Sequence, residues 1–276
     1  MKKILVPTDF SDQAENALKV AAKLAKRFNS EIHLVHMLEL PLELIDPVQG
    51  HASRNLPEAI FFMKLAHQRF LKLLQRPFLQ DITVYENVHF NSVSKGILEF
   101  SKNIECDLIV MGSYGASGFQ EMLIGSNTEK IVRSSKIPVL VIKEGGSEFN
   151  VEDFVLATDA EPANQHSLQK ASEFAKLLGA KLHLLYVNTP NVFKTSKQIK
   201  EQLKVFTEGL EDINPKIHIY NDVSIERGIM NFAEEIDAGL IGISTHGRKG
   251  IAHFFNGSIS EDLVNNAKRP VVTFML

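Results

Sequence analysis

The chain has 276 residues, long for one ordinary domain and comfortable for two. Hydrophobic residues make up 44% and charged residues 23%, a globular balance that excludes the disordered and fibrous classes. The net charge of -3 argues against nucleic acid as the main partner, and the single cysteine, Cys106, excludes an intrachain disulfide.

Lys3 to Thr8 is a short apolar run of strand length with no signal-peptide core before it, so a cytoplasmic location is expected. Ser11 stands where a helix N-cap belongs. Behind it Ala14, Ala17, Leu18, Ala21, Leu24, Ala25 and Phe28 recur at three- and four-residue spacing, an apolar stripe that packs on a sheet. Glu31 to Leu38 reads as the second strand. A stretch with Pro41, Pro47, Gly50 and Pro57 then reads as a loop or lid up to about Phe62, with a helix predicted over Ala59 to Leu74. Phe61, Phe62 and Met63 belong to helical core or to a contact between units, and no run reaches a membrane span. Ile82 to His89 is a third strand, Ser94 to Ile104 a helix, Asp107 to Met111 a strand buried on both faces, Ser126 to Ser135 a helix and Pro138 to Lys143 a last strand. Strict alternation of strand and helix predicts parallel strands joined by right-handed crossovers, hence an α/β doubly wound sheet whose ligands sit beyond the strand carboxyl ends.

The chain then repeats itself. Ile4 to Asp9 lies over Phe154 to Asp159 at an offset of 150, and Leu108, Gly115, Gly118, Gly125 and Ser126 lie over Leu240, Gly247, Gly250, Gly257 and Ser258 at an offset of 132. The first copy therefore carries about 18 extra residues, which fall in the Leu38 to Phe62 stretch. Gly145-Gly-Ser separates the copies, giving expected domains at 1–145 and 150–276. The two copies are expected to pack as an intramolecular pseudo-dimer through Pro138 to Lys143 and Pro270 to Leu276, whose apolar edges invite pairing.

Gly112 and Gly115, nine further residues, and then Gly125-Ser126 opening a helix form the pattern most charged with chemistry. Glycines let backbone amides approach a polyphosphate, and the helix start adds unpaired N–H groups and the Ser126 hydroxyl. Thr8-Asp9 ends the first strand at the same edge, where the carboxylate can bond a ribose hydroxyl or cap the first helix. The second copy keeps Thr158, Asp159, Gly247, Gly257 and Ser258, but Ser244 replaces the first glycine, which either crowds a nucleotide or replaces one contact, and Arg248 and Lys249 add cations. There is no GxGxxG after the first strand and no GxxxxGK[ST], so neither a dinucleotide site nor a Walker loop is expected. His33 and His36, three apart on a strand, point to opposite faces, and neither they nor His246 and His253 make a metal site.

These motifs resemble the universal stress protein family in its ATP-binding branch, over essentially the whole chain as a tandem pair. The resemblance rests on Ile4-Leu-Val-Pro-Thr-Asp9, His33 to Met37, Asp107 to Gly112, the glycine pattern and Pro138 to Ile142. It implies two domains of the adenine nucleotide alpha hydrolase-like kind, each a five-stranded parallel sheet flanked by helices. It also implies that Asp9 touches ribose, that Met37 and Met111 flank adenine, and that phosphates lie over Gly112, Gly115, Gly125, Ser126 and Asn127. The ligand implied is ATP, or ADP or AMP, with Mg2+ able to accompany it, in a stress-linked regulator with an unidentified protein partner. Further dimerisation of the chain stays open. Two rivals stand beside this reading: a weak ATP hydrolase or nucleotide transferase, and a nucleotide-free scaffold that acts by binding a protein or another small ligand.

Overall fold

The computed structural model describes residues 1–39, 52–113, 125–143, 149–210, 214–245 and 267–275. The first copy runs β1 (Lys3–Pro7), α1 (Asp12–Phe28), β2 (Glu31–Leu38), α2 (Ala52–Leu74), β3 (Val84–Phe90), α3 (Val93–Asn103), β4 (Leu108–Gly112), α4 (Ser126–Ser134) and β5 (Val139–Ile142). The second runs β6 (Asp153–Ala157), α5 (Gln165–Leu178), β7 (Lys181–Asn188), α6 (Ser196–Thr207), β8 (Lys216–Asn221), α7 (Ile225–Glu235), β9 (Leu240–Thr245) and β10 (Val271–Met275).

Local chemistry sets the boundaries. The Ser11 hydroxyl accepts the Ala14 N–H at 3.2 Å to cap α1, whose end passes through Asn29 in the left-handed region at φ 52°. Gly179 ends α5 in the same way at φ 62°. One expectation needs correcting, because the helix predicted from Ala59 begins at Ala52, so residues 52 to 58 are helical rather than loop. Pro57 lies inside α2, where its missing N–H and ring cost one backbone bond near the helix start, and the long run behind it outlasts that loss. Residues 40 to 51 of the expected loop or lid lie outside the described residues.

The strands form one ten-stranded sheet in the order β3-β2-β1-β4-β5-β10-β9-β6-β7-β8. All of its pairings are parallel except the seam, where β5 and β10 run antiparallel with Val141 opposite Val271, Leu140 opposite Val272 and Val139 opposite Thr273. The expected pairing of the two last strands is therefore present, and the order reads the same outward from the seam in both directions, as a local two-fold requires. One sheet face is covered by α1, α2, α5 and α6 through residues such as Leu18, Phe70, Leu168 and Phe206. The other is covered by α3, α4 and α7 through Ile97, Ile131 and Phe232. Both apolar layers run across the seam. Among the described residues, no helix is long and apolar enough to cross a membrane.

Candidate functional site

The β1–α1 turn is a compact knot of hydrogen bonds. Thr8 N–H extends the β1 ladder to the Val35 carbonyl at 2.8 Å, and its hydroxyl accepts the Phe10 N–H at 2.9 Å. Asp9 Oδ1 accepts the Ser11 N–H at 3.0 Å, so the carboxylate orders the helix entry while standing at the sheet edge. Phe10 sits at φ 65°, a conformation that a bulky residue adopts only when its surroundings hold it there. Here the ring is held by Phe70 at 5.0 Å, His36 at 4.7 Å and the Arg69 guanidinium at 5.5 Å. His36 Nδ1 donates to the Thr8 carbonyl at 2.7 Å, tying β2 to the turn from below. Burial lowers the His36 pKa, and although the Thr8 carbonyl and Asp9 oppose this, the imidazole stays below its ordinary value.

The second wall comes from β4 and α4. Gly112 lies so close to α1 that a Cβ there would stand 3.1 Å from the backbone carbon and oxygen of Gln13. A side chain at this place would require α1 to give way by a few tenths of an ångström. Gly125 returns to the strand end by donating its N–H to the Ser113 carbonyl at 2.9 Å, and it takes the N-cap position of α4 with no side-chain cap. The Thr128 hydroxyl donates to the Gly112 carbonyl at 3.1 Å and anchors the first turn of the helix. The opening amides of α4, with the positive end of its dipole, therefore face the space beyond β4.

Between these walls lies a cavity of about 190 Å³. Thr8, Asp9, Met37, Met111, Gly112, Gly125, Ser126 and Asn127, singled out in four separate stretches of sequence, all line it. Ala14, His36, Val93, Ile97 and Thr128 line it too and were not singled out. One end is apolar and sulfur-rich, with Met37 and Met111 facing Val93 and Ile97. The other carries hydroxyls, an amide side chain and a helix start. Among the described lining residues there is one carboxylate and no lysine or arginine, so an anion there would be met by N–H and O–H groups.

Gly96, also missed, shapes the apolar end without lining it. A Cβ on it would meet Met37 Sδ at 2.7 Å, so its bare backbone is what lets Met37 lie against α3. The repeat carried a signal for this, since Gly228 occupies the matching place and a Cβ there would meet Val187 Cγ1 at 2.5 Å.

Of the remaining predicted site residues, Gly115, Gly247, Gly257 and Ser258 lie outside the described residues. Thr158 and Asp159 repeat the first turn: Thr158 N–H donates to the Leu185 carbonyl at 2.9 Å, its hydroxyl accepts the Ala160 N–H at 2.9 Å, and Asp159 Oδ1 accepts the Glu161 N–H at 3.0 Å. The side chains of His33 and His36 have different partners, Glu31 for the first at 3.0 Å and the Thr8 carbonyl for the second. Cys106 is buried, and burial together with the Asp107 charge pushes its thiol up to about 12.

The model of the universal stress protein family matches residues 1–143 and 151–274. A universal stress protein of Methanocaldococcus jannaschii is 30% identical over 149 residues, which cover 53% of this chain and 85% of that protein. One of Synechocystis is 26% identical and spans 99% of this chain and 100% of its own length. Among solved structures, a universal stress protein from Archaeoglobus fulgidus superposes with a TM-score of 0.66 at 23% identity, covering 99% of this chain and 98% of its own, a likeness of fold.

Proposed function

The chain belongs to the universal stress protein family, and from that premise and the cavity of its first copy we propose that it is a stress-linked regulatory protein that binds an adenine nucleotide, ATP in the first instance. The units concerned are residues 1–145 and 150–276. The observation that carries the reading is convergence: a turn carboxylate, two methionines among apolar neighbours and an open helix start line one cavity, a group suited to each of ribose, base and phosphates. The apolar end with Met37 and Met111 suits an aromatic base, because polarizable sulfur packs well against a π-face. Asp9 would accept from ribose hydroxyls, and the α4 amides with Ser126 and Asn127 would take the phosphates. Magnesium bound with the nucleotide would offset phosphate charge.

The site reads as one for holding rather than cleaving. Phosphoryl transfer relies on a positioned cation, a metal-holding carboxylate and a group that orients the attacking water. The described lining offers Asp9 alone among carboxylates, and Asp9 is already engaged with the Ser11 N–H. A bound nucleotide would instead fix the Thr8-Asp9 turn and the α4 start against each other, changing the surface that the first copy presents.

Ser126→Asp tests this directly. An acid in the first turn favours the helix, so the fold is retained, while the new charge faces the phosphates. Titration with a fluorescent ATP analogue should show at least tenfold weaker binding for Ser126→Asp and for Asp9→Ala. Unchanged affinity in both would overturn the assignment.

A further inference from the structure

The offset of 150 lays Ala14, whose methyl group borders the first cavity, over Asn164. Asn164 is fully buried at the start of α5. Its Nδ2 donates to Asp159 Oδ1 at 2.7 Å, the same oxygen that takes the Glu161 N–H. Gln202 of α6 closes the turn from another side, donating to the Asp159 carbonyl at 2.9 Å. The carboxylate that corresponds to Asp9 is thus engaged by its own chain and is 7% exposed.

Two details show that Asn164 is not there to serve α5. It makes no side-chain capping bond, although it holds the N-cap position. Its Oδ1 is buried with no hydrogen-bond partner, because the carboxylate accepts only from the amide NH2 and so dictates which way the group faces. A bare buried acceptor is unfavourable, and what it accompanies is the bond to Asp159. Ser244, 2% exposed, meanwhile supplies at the strand end the side chain that Gly112 omits.

We propose that Asn164 is an internal stand-in for ribose: its amide gives Asp159 the hydrogen bond that a nucleotide hydroxyl gives Asp9. The second copy thereby holds its Thr158-Asp159 turn in place with no ligand, and each chain takes one nucleotide, in the first copy. This rests on the nucleotide reading of the first copy. It makes the pair asymmetric: both turns share the same backbone bonds, and the further hydrogen bond to the carboxylate comes from ligand at Asp9 and from Asn164 at Asp159.

Native mass spectrometry and equilibrium dialysis of the full chain with ATP test the proposal. The wild type should bind one equivalent, lost in Asp9→Ala and retained in Asp159→Ala. Asn164→Ala combined with Ser244→Gly should double the stoichiometry to two, and Asn164→Ser with Ser244→Gly, which keeps a small polar group at the α5 start, guards against a variant that fails to fold. Two equivalents in the wild type, loss of binding in Asp159→Ala, or one equivalent in both folded double variants would overturn it. No binding by the wild type would instead refute the first-copy site on which the proposal stands.

Discussion

Gly96→Ala separates packing from binding more sharply than any change to a residue in the cavity wall. The added methyl would lie 2.7 Å from Met37 Sδ and 2.9 Å from Asn91 Cβ, whereas carbon contacts settle at roughly 3.5–4.0 Å. Met37 must therefore withdraw by about 1 Å. It is hemmed by Val35, Ile97 and Met111 in the apolar layer, so the room available to it is the cavity of about 190 Å³. Alanine in a helix interior gains about 1 kcal/mol over glycine, and the overpacking costs about 1–3 kcal/mol, leaving a net loss between about 0 and 2 kcal/mol. The fold should survive with a melting temperature lowered by a few degrees. Affinity for ATP should fall about tenfold or more, since the displaced sulfur takes space meant for the base, and a tenfold loss corresponds to about 1.4 kcal/mol. The control is Gly228→Ala, where the methyl meets the branched Val187 Cγ1 at 2.5 Å. Valine has no flexible end to withdraw, so this variant should lose more stability and no affinity. Thermal melts with and without ATP, beside a binding titration, supply both readings. A folded Gly96→Ala protein with unchanged affinity, or an equal loss in Gly228→Ala, would refute the reasoning.

Three further outcomes follow from the same packing. With its thiol pushed up to about 12, Cys106 should resist alkylation in the native protein at pH 8 and react as urea unfolds the chain, so rapid native labelling would contradict its burial. Burial pushes the Lys143 ammonium down to about 8, below its ordinary 10.5. The charged form is thus disfavoured in the folded state below pH 8, and stability should rise as pH climbs from 8 to about 10.5. Lys143→Met should stabilise at pH 7 by about 1–2 kcal/mol, half or less of the full linkage value because the group is partly exposed, with the advantage shrinking toward pH 10. Urea denaturation at the two pH values checks the sign. Phe70→Ala removes a fully buried ring that packs edge-on against Phe10, and should cost about 3–5 kcal/mol in urea denaturation.

What the sequence disclosed and what it concealed divide along a physical line. Strand and helix order follows from local periodicity, and β1, α1, β2, β4 and β5 fall within a residue or two of the runs that predict them. Gly112 and Gly125 were legible because each stands at an element boundary, the first where β4 ends against α1 and the second at the start of α4. Ala14, His36 and Gly96 were not, because each matters only through what another element sets beside it: the cavity for Ala14, the Thr8 carbonyl for His36, the Met37 sulfur for Gly96. The α2 start was misplaced for a different reason, since the proline at position 57 reads as a loop signal and only the length of the following helix makes it tolerable. Asn164 shows the reverse case. The alignment of the copies placed it opposite Ala14, yet an alanine-to-asparagine difference acquires meaning only once the Asp159 carboxylate is found beneath it.

The seam keeps the turns of the two copies apart, so that one can differ from the other. Strands run parallel within each copy but antiparallel across β5 and β10, so the carboxyl ends of the two half-sheets, and the turns built on them, open at opposite edges. The copies are joined through buried strands, through the shared apolar layers and through helix ends such as Arg27, which donates to the Leu178 carbonyl at 2.9 Å. None of these contacts uses the Thr8-Asp9 or Thr158-Asp159 turn. Substitutions at Asn164 and Ser244 therefore alter a turn without disturbing the junction. The link that remains runs along α1: its first residues border the cavity and its last turn touches the end of α5, about 25 Å away. A ligand that fixes the Asp9 turn would act on the near end of that helix, while the far end rests on the second copy, whose own turn is fastened by Asn164.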